Sequence, residues 1–539
     1  MSDGGHTPRA LFVVLGAVAL TFAVTVTFPF MGWDDPRYVM NNPLVIHPLG
    51  HGLRALLTTP SLGYPQSVTV LSYAANFAAF GMSPWSFHLV NVALHLLNVV
   101  LVWRVACSVG LGTQSSCLAA MVFGLHPLVV EPVSWVTGRK DLLAVTLVLS
   151  AIAVVLLGGP DAAFPRRPRW LIASLLVLLG IGAKPSVAIA PALVWIVASA
   201  ARPDWPRRKL AAALAPLALV ATTLLLVEGR SVVDVHPRST GETFLDALGA
   251  WTLQAGHLVW PVDLVTSYAR LENDPSRLAM AVGVCGLVAV VFAFAKAPRS
   301  SPGFTGLAFA AVAYAPVSGV LAVNRWCSDS YMYLSLVGLA IAGAAGLRAA
   351  LSDRFLRVRG LGAAALGLTL MVDSFAHASN WSSPEGPWLA AIQRYPGNPV
   401  PYNELASTLA WEGKHAEAVR AYEVFDQRFP DFEFARAERA SALVDAGHSD
   451  RAKALLSSGI AAGDDACART FWLLLLQGGI SISRADQATV AASFTRVSDQ
   501  MHAQIHDPSV WLKISRLLAD TGLDGLGRAA EATAASLPP

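Results

Sequence analysis

The chain has 539 residues, 54% of them hydrophobic and only 14% charged, with a mean hydropathy of +0.51. Soluble globular domains carry about 25% charged residues, so this composition excludes a soluble enzyme, a disordered tail and a coiled coil. Lys and Arg number 39 against 36 Asp and Glu, a formal charge of +3 that gives no reason to expect a nucleic-acid partner. The five cysteines, Cys107, Cys117, Cys285, Cys327 and Cys467, lack CxxC spacing and imply neither a disulfide framework nor a zinc site. Hydrophobicity concentrates in residues 10–378 and charge density after them, the pattern of a polytopic membrane protein with a soluble C-terminal domain.

A membrane-spanning helix needs about 20 apolar residues. The first run, Ala10 to Met31, has no small-residue cleavage site before Trp33 and is read as a retained span. Further runs lie near 87–107, 117–131, 141–158, 170–183, 186–200, 210–227, 278–295, 304–323, 331–349 and 360–377, about eleven spans in all. The basic loops are Arg166, Arg167 and Arg169; Arg202 with Arg207, Arg208 and Lys209; Lys296 with Arg299; and Arg354 with Arg357 and Arg359. All fall on one side, the cytoplasmic one, if the N-terminus is inside and Leu245–Pro261 is interfacial or re-entrant. Trp251 and Trp260 suit such an interface. Loops 32–86, 126–140, 228–277 and 324–330 then face outward, as does everything after about 378. Leu53–Leu57 and Val68–Phe80 are apolar stretches fit to lie on the membrane surface.

The expected domains are a membrane domain over 1–378, a linker over 379–398 and a helical repeat domain over 399–539. A frame of about 34 residues set at Pro399 places Tyr402, Leu405, Ala406, Leu409, Ala418, Tyr422 and Pro430 at tetratricopeptide positions. One period later come Ala440, Leu443, Ala452 and Leu456, and beyond Gly463 the signature fades. Such repeats stack into a binding surface for peptides or proteins, or serve as a structural cap without a partner.

Polar residues in or at a membrane are expensive, so each needs a reason. Asp34 and Asp35 follow the first span. Adjacent carboxylates repel and one pKa rises, which suits a general base toward an acceptor hydroxyl. Together they can hold a divalent cation, Mg or Mn, the one cofactor the residues suggest; the plain alternative is a hydrated loop turning at Pro36. His88, Asn91, His95 and Asn98 line one face of an apolar helix, for interhelical hydrogen bonding or a ligand. His126 and Glu131 close the third span while Arg139, Lys140 and Asp141 open the fourth. Cations at a helix N-terminus oppose its dipole, so either an anion such as phosphate completes the site or Asp141 pairs with Arg139 or Lys140. Lys184, between two apolar runs, either snorkels or reaches the same anion. Before the tenth span, Arg325 and Asp329 can line an outer site, and Tyr331 and Tyr333 can be interface anchors. No Walker loop, Rossmann glycine pattern, HExxH or GxSxG element is present, which leaves a soluble nucleotide donor unsupported.

Five motifs together resemble one family. They are Trp33-Asp34-Asp35-Pro36-Arg37-Tyr38-Val39 with Asn42-Pro43, Phe87-His88-Leu89-Val90-Asn91 through Asn98, His126 through Val136 followed by Arg139-Lys140-Asp141, Ala183-Lys184-Pro185, and Asp329-Ser330-Tyr331-Met332-Tyr333-Leu334. In this order they look like the transmembrane, tetratricopeptide-containing O-mannosyltransferases that modify cadherins, and their bacterial relatives, in the GT-C superfamily. The motifs cover about 33–334, and the repeats extend the likeness to roughly the whole chain.

The resemblance implies an all-α GT-C membrane fold followed by a repeat solenoid. It implies direct, inverting transfer of a monosaccharide, such as mannose, from a polyprenyl-phosphate donor to a hydroxyl of a protein acceptor. A first-loop carboxylate, here Asp34 or Asp35, would be base or metal ligand, with Glu131 a further catalytic candidate. The donor phosphate would meet Arg139, Lys140, Lys184 or Arg325, supported by His88, Asn91, His95, His126, Asp141, Asp329, Tyr331 and Tyr333. Membrane lipid and a protein acceptor, presented by the repeats, would be the partners. Ser330 stands where many relatives have Arg, and Ser335 where they often have Pro, so either a donor-binding cation is absent or Arg325 supplies it. The expected location is a bacterial inner membrane, with a cytoplasmic N-terminus and a periplasmic C-terminal domain, or the endoplasmic reticulum membrane in a eukaryote. The alternatives are a non-catalytic scaffold that recruits envelope proteins through its repeats and a lipid-linked sugar transporter; the outward clustering of charged motifs argues against the latter.

Overall fold

Apolar residues with few charges can satisfy their main-chain polar groups in lipid only by closing hydrogen bonds within helices. The computed structural model is accordingly all-helical. Among the described residues, the one exception is a two-residue antiparallel ladder of Pro60–Ser61 with Tyr64–Pro65. The structure describes residues 9–537 except 49, 51, 62–63, 159–162, 229–239, 270–283, 287, 290, 293–294, 300, 320–324, 351–355, 431–435 and 506. The expected loop 228–277, the expected span 278–295, Asn324 and Arg354 lie wholly or partly outside the described residues.

The chain divides into two units, Met1–Asn398 and Pro399–Pro539. The first contains α1 (Arg9–Phe22), α2 (Pro43–Ile46), α3 (Gly52–Thr58), α4 (Ser67–Phe80), α5 (Pro84–Ser108), α6 (Thr113–Leu125), α7 (Val130–Ser134) and α8 (Arg139–Val155). It continues through α9 (Arg167–Ala183), α10 (Ala190–Ala201), α11 (Arg207–Glu228), α12 (Thr240–Val259), α13 (Pro302–Tyr314), α14 (Met332–Ala350), α15 (Leu356–Ser379) and α16 (Gly386–Arg394). Helix α5 packs on α6 and α8, α8 on α9, α14 on α6 and α13, and α1 on α6. Val18, Phe22, Val99, Phe123, Leu142, Val145, Leu336 and Val337 fill the core between them. Leu171 and Leu175 on α9, and Leu361, Leu368 and Val372 on α15, leave large apolar side chains exposed, as a lipid-facing surface does.

Four described helices are long and apolar enough to cross a membrane: Arg9–Thr27, Pro84–Ser108, Asp329–Ala350 and Gly360–Ser379. Thr113–Leu125 with Pro127–Ser134, bent by 55°, would make a fifth. The eleven-span count goes beyond this. Several other apolar runs form shorter helices, of 17 residues in α8 and α9 and 13 in α13, while α11 runs over 22 residues with Pro216 inside it. The run expected at 117–131 ends at Leu125, because Pro127 lacks the N–H that would continue the ladder.

Among the described residues the second unit is a succession of eight α-helices: α17 (Pro399–Trp411), α18 (His415–Arg428), α19 (Arg436–Asp445), α20 (Ser449–Ala461), α21 (Asp465–Gln477), α22 (Gln487–Gln504), α23 (Pro508–Asp520) and α24 (Asp524–Ser536). They pack in consecutive pairs, α17 on α18 through α23 on α24. Ala406, Ala418 and Tyr422 close the first pair, and Ala440, Ala452 and Leu456 the second; small alanines let helix axes approach. Gly413 and Gly447, one repeat length apart, turn the chain inside these two pairs at φ 77° and 84°, a region a Cβ disfavours.

Candidate active site

The segment after the first span is tied down by one carboxylate. Asp35 is fully buried. Its Oδ2 accepts from Met31 N at 2.9 Å, and its Oδ1 accepts from Thr137 N at 3.1 Å and Thr137 Oγ1 at 2.5 Å. Thr137 lies in the loop between α7 and α8, which folds back so tightly that a Cβ on Gly138 would collide with the Pro132 main chain. Asp34, next door, is only partly buried. Among the described residues no hydrogen bond or ion pair engages its carboxylate.

Around Asp34 the contacts close into a ring. Trp33 stacks on Trp135 with ring centroids 4.5 Å apart, and Lys140 Nζ lies 4.4 Å from the Trp135 ring. Lys140 is 3.9 Å from Asp141, which pairs with Lys184. Lys184 lies 5.7 Å from the Tyr331 ring, and the Tyr331 hydroxyl accepts from Arg325 N at 3.3 Å. The Arg325 guanidinium, 5.1 Å from the Trp33 ring, completes the circuit. Lys140, Lys184 and Arg325 are therefore brought together on one side chain network. Lys140 spends one of its three donors on Thr137 O at 3.0 Å, which leaves two for a ligand.

Arg325 is held by Glu131. Its Nη2 donates to Glu131 Oε1 at 2.5 Å and to Ser328 Oγ at 2.6 Å, and lies 3.4 Å from Ser330 Oγ. Ser328 Oγ is itself 3.1 Å from Glu131 Oε1 and 2.7 Å from Ser330 Oγ. The guanidinium thus lies over the Ser330 side chain. Glu131 is 1% exposed, and its Oε2 has no partner among the described residues; its position makes it the counter-ion of Arg325. Asp329 is buried behind this pair, accepting from Tyr268 OH at 2.6 Å and lying 4.0 Å from His377.

Arg139, expected to meet a phosphate, is instead spent inside the protein. Its guanidinium donates to Asn91 Oδ1 at 3.0 Å, Asn76 Oδ1 at 2.9 Å, Phe87 O at 2.9 Å and Ser72 O at 3.3 Å. The reason is local: as the first residue of α8 it turns into the contact with α4 and α5, over the rings of Tyr73 and Phe87. The polar stripe of α5 is used for helix–helix bonding. Asn91 donates to Trp135 O at 3.0 Å, and Asn98 to Leu142 O at 3.0 Å. His95 Nδ1 is 2.8 Å from Tyr333 OH and its Nε2 is 3.0 Å from Gly124 O. His88 Nε2 is 3.3 Å from Pro29 O. His126 caps the turn after α6 by accepting from Leu128 N at 3.2 Å. None of these five side chains belongs to the ring around Asp34.

Burial raises both loop carboxyls. Asp35 is pushed up to about 6 by desolvation, against the pull of its Thr137 and Met31 hydrogen bonds. Asp34 is raised by desolvation, with Lys140, Arg325 and Arg37 pulling it back. The pair does not fit a divalent-cation clamp, since Asp35 has turned both oxygens to protein donors. Among the described residues no group of three or more His, Cys, Asp or Glu side chains could hold a metal ion. Sequence reasoning missed Thr137, Ser328, Tyr268 and Trp388, the last meeting Trp33 edge-on at 5.0 Å. Thr137 sits within the most specific motif; Tyr268, 61 residues from its partner Asp329, carries no local signal.

No family model and no solved structure matches the chain. It is 34% identical over 138 residues to Protein O-mannosyl-transferase Tmtc1 of Drosophila melanogaster, covering 24% of this chain and 16% of that protein. It is 30% identical over 152 residues to Protein O-mannosyl-transferase TMTC1 of Homo sapiens, covering 26% and 17%. It is 29% identical over 157 residues to Protein O-mannosyl-transferase TMTC3 of Mus musculus, covering 27% and 17%. The match spans less than a fifth of the length of these relatives. Over about a quarter of its length the chain is thus a sequence relative of the TMTC proteins, the family that its ordered motifs resemble.

Proposed function

We propose that the chain is a membrane glycosyltransferase of GT-C type that moves a monosaccharide from a polyprenyl phosphate to a hydroxyl of a protein acceptor on the outer side of the membrane. The observation that carries this reading is the division of labour between the two loop carboxylates. Asp35 is consumed by Thr137 and Met31, while Asp34 stays uncommitted beside Lys140 and Arg325. Asp34 takes the proton of the acceptor hydroxyl. The acceptor oxygen bonds to the anomeric carbon as the bond from that carbon to the phosphate oxygen breaks, and the phosphate leaves with the electron pair. Lys140, Lys184 and Arg325 meet the charge of that leaving group. Direct displacement inverts the anomeric centre. Mannose is the sugar that the relatives' names suggest. The helical pairs after residue 399, read as tetratricopeptide repeats, present the acceptor.

The reading is tested with the purified full chain and a panel of polyprenyl-phosphate sugars, by measuring sugar transferred to serine- and threonine-rich peptides and sugar released to water. Transfer or release from one donor is expected. A folded protein inert toward every donor would overturn it.

A further inference from the structure

Helix α16 immediately precedes the second unit, yet it is built into the first. Thr266 Oγ1 donates to Pro387 O at 3.1 Å, and Arg394 pairs with Asp263 at 3.0 Å. Ala391 and Tyr395 pack in one apolar cluster with Val265, Tyr268 and Cys327. Asn398 Nδ2 lies 3.3 Å from Ser267 O. The same helix buries Trp388, 3% exposed, with its ring against that of Trp33 at 5.0 Å and 82°. Trp33 is the residue before Asp34, and its ring is also the one that Trp135 and Arg325 contact.

We propose that Trp388 is a positioning residue, which acts through Trp33 to hold the Asp34 carboxylate beside Lys140 and Arg325. This rests on the reading of Asp34 as the base. The physical argument is steric. Trp33 cannot turn while Trp135 is stacked on it and Trp388 abuts it, so the main chain that carries Asp34 is fixed from both neighbouring positions, by Trp33 on one side and by Asp35 on the other. Remove the Trp388 indole and water enters beside Trp33. Asp34 is then better solvated, and its proton is held less tightly. The charged groups that face Asp34 are Lys140 at the start of α8, Arg325 from the segment before α14, and Arg37 on its own segment. Asp35 is the neighbouring acid.

The test is carbodiimide labelling of carboxyls in the full-length protein, followed by peptide mass spectrometry from about pH 4 to about pH 8. Only protonated carboxyls react, and no donor or acceptor is needed. Wild type, Trp388→Phe and Trp388→Ala are compared, with exposed Glu417 as the internal control. The Asp34 midpoint is expected to fall by about one pH unit in Trp388→Ala, to stay in Trp388→Phe, and to leave Glu417 unmoved in all three. Trp388→Leu gives the same reading should the alanine variant not fold. An Asp34 midpoint unchanged in the folded alanine or leucine variant overturns the proposal. The base role is judged separately by transfer in Asp34→Asn, so failure of one is distinguishable from failure of the other.

Discussion

Thr137 Oγ1 donates to Asp35 Oδ1 at 2.5 Å, across 102 residues of chain. That bond ties the segment after the first span to the loop that opens α8. It also separates two chemically identical neighbours, since Asp35 becomes a structural acceptor while, among the described residues, no hydrogen bond or ion pair engages the Asp34 carboxylate.

Substitution at the two positions should therefore differ in kind. Asp35→Asn presents an N–H₂ to donors that need an acceptor, and leaves at least one buried donor unpaired. It should cost about 1–3 kcal/mol of stability, read as a lowered midpoint of thermal unfolding in detergent. Asp34→Asn should leave that midpoint where it is.

The pH dependence follows from the same pair. The proton on Asp34 is held above the ordinary carboxylate range by burial, so the acid limb of kcat/KM should lie above pH 4, about the value of a free Asp. Asp35 runs the other way for stability. Its folded value, about 6, lies above the ordinary Asp value of 3.8, so the native state binds the extra proton. Its contribution is fully present below the unfolded value and is lost as pH rises through the folded one. Unfolding midpoints measured across that window should fall with rising pH in wild type and be flatter in Asp35→Asn.

Arg325 and Glu131 should couple strongly. Glu131 is 1% exposed, and removing its partner by Arg325→Met leaves a buried carboxylate uncompensated, at about 3 kcal/mol. The double variant with Glu131→Gln should recover most of that stability, and a double-mutant cycle reads the difference. Because the guanidinium lies 3.4 Å from Ser330 Oγ, the exchange Arg325→Ser with Ser330→Arg returns a cation to the same place and should regain transfer that Arg325→Ser alone loses.

The α5 stripe should matter for packing and little for chemistry. Tyr333 OH is 2.8 Å from His95 Nδ1 and accepts from Asn98 at 3.1 Å. Tyr333→Phe should lower stability by about 1 kcal/mol while transfer per folded molecule stays near wild type.

Much of this site was legible in the sequence because charged groups in an apolar chain are conspicuous. Asp34, Glu131, Lys140, Lys184 and Arg325 stand out as residue types, and the helical spacing of His88, Asn91, His95 and Asn98 shows that they share a face. What the sequence does not carry is direction. Arg139 and Lys140 are neighbours, yet one turns inward to Asn76 and Asn91 and the other toward Trp135, because successive helical residues point about 100° apart. Pairings such as Asp35 with Thr137 or Asp329 with Tyr268 depend on how distant segments dock, which no local pattern encodes. The number of spans was obscured for a related reason, since an apolar run does not show whether a proline will bend it, as Pro127 does after α6.

The most direct measurement is the transfer rate of purified Asp34→Asn beside wild type, with polyprenyl-phosphate mannose as donor and unfolding midpoints confirming that both are folded. Removing the base should slow transfer by about 10²–10⁴-fold. Transfer at the wild-type rate in a folded Asp34→Asn protein would contradict the account.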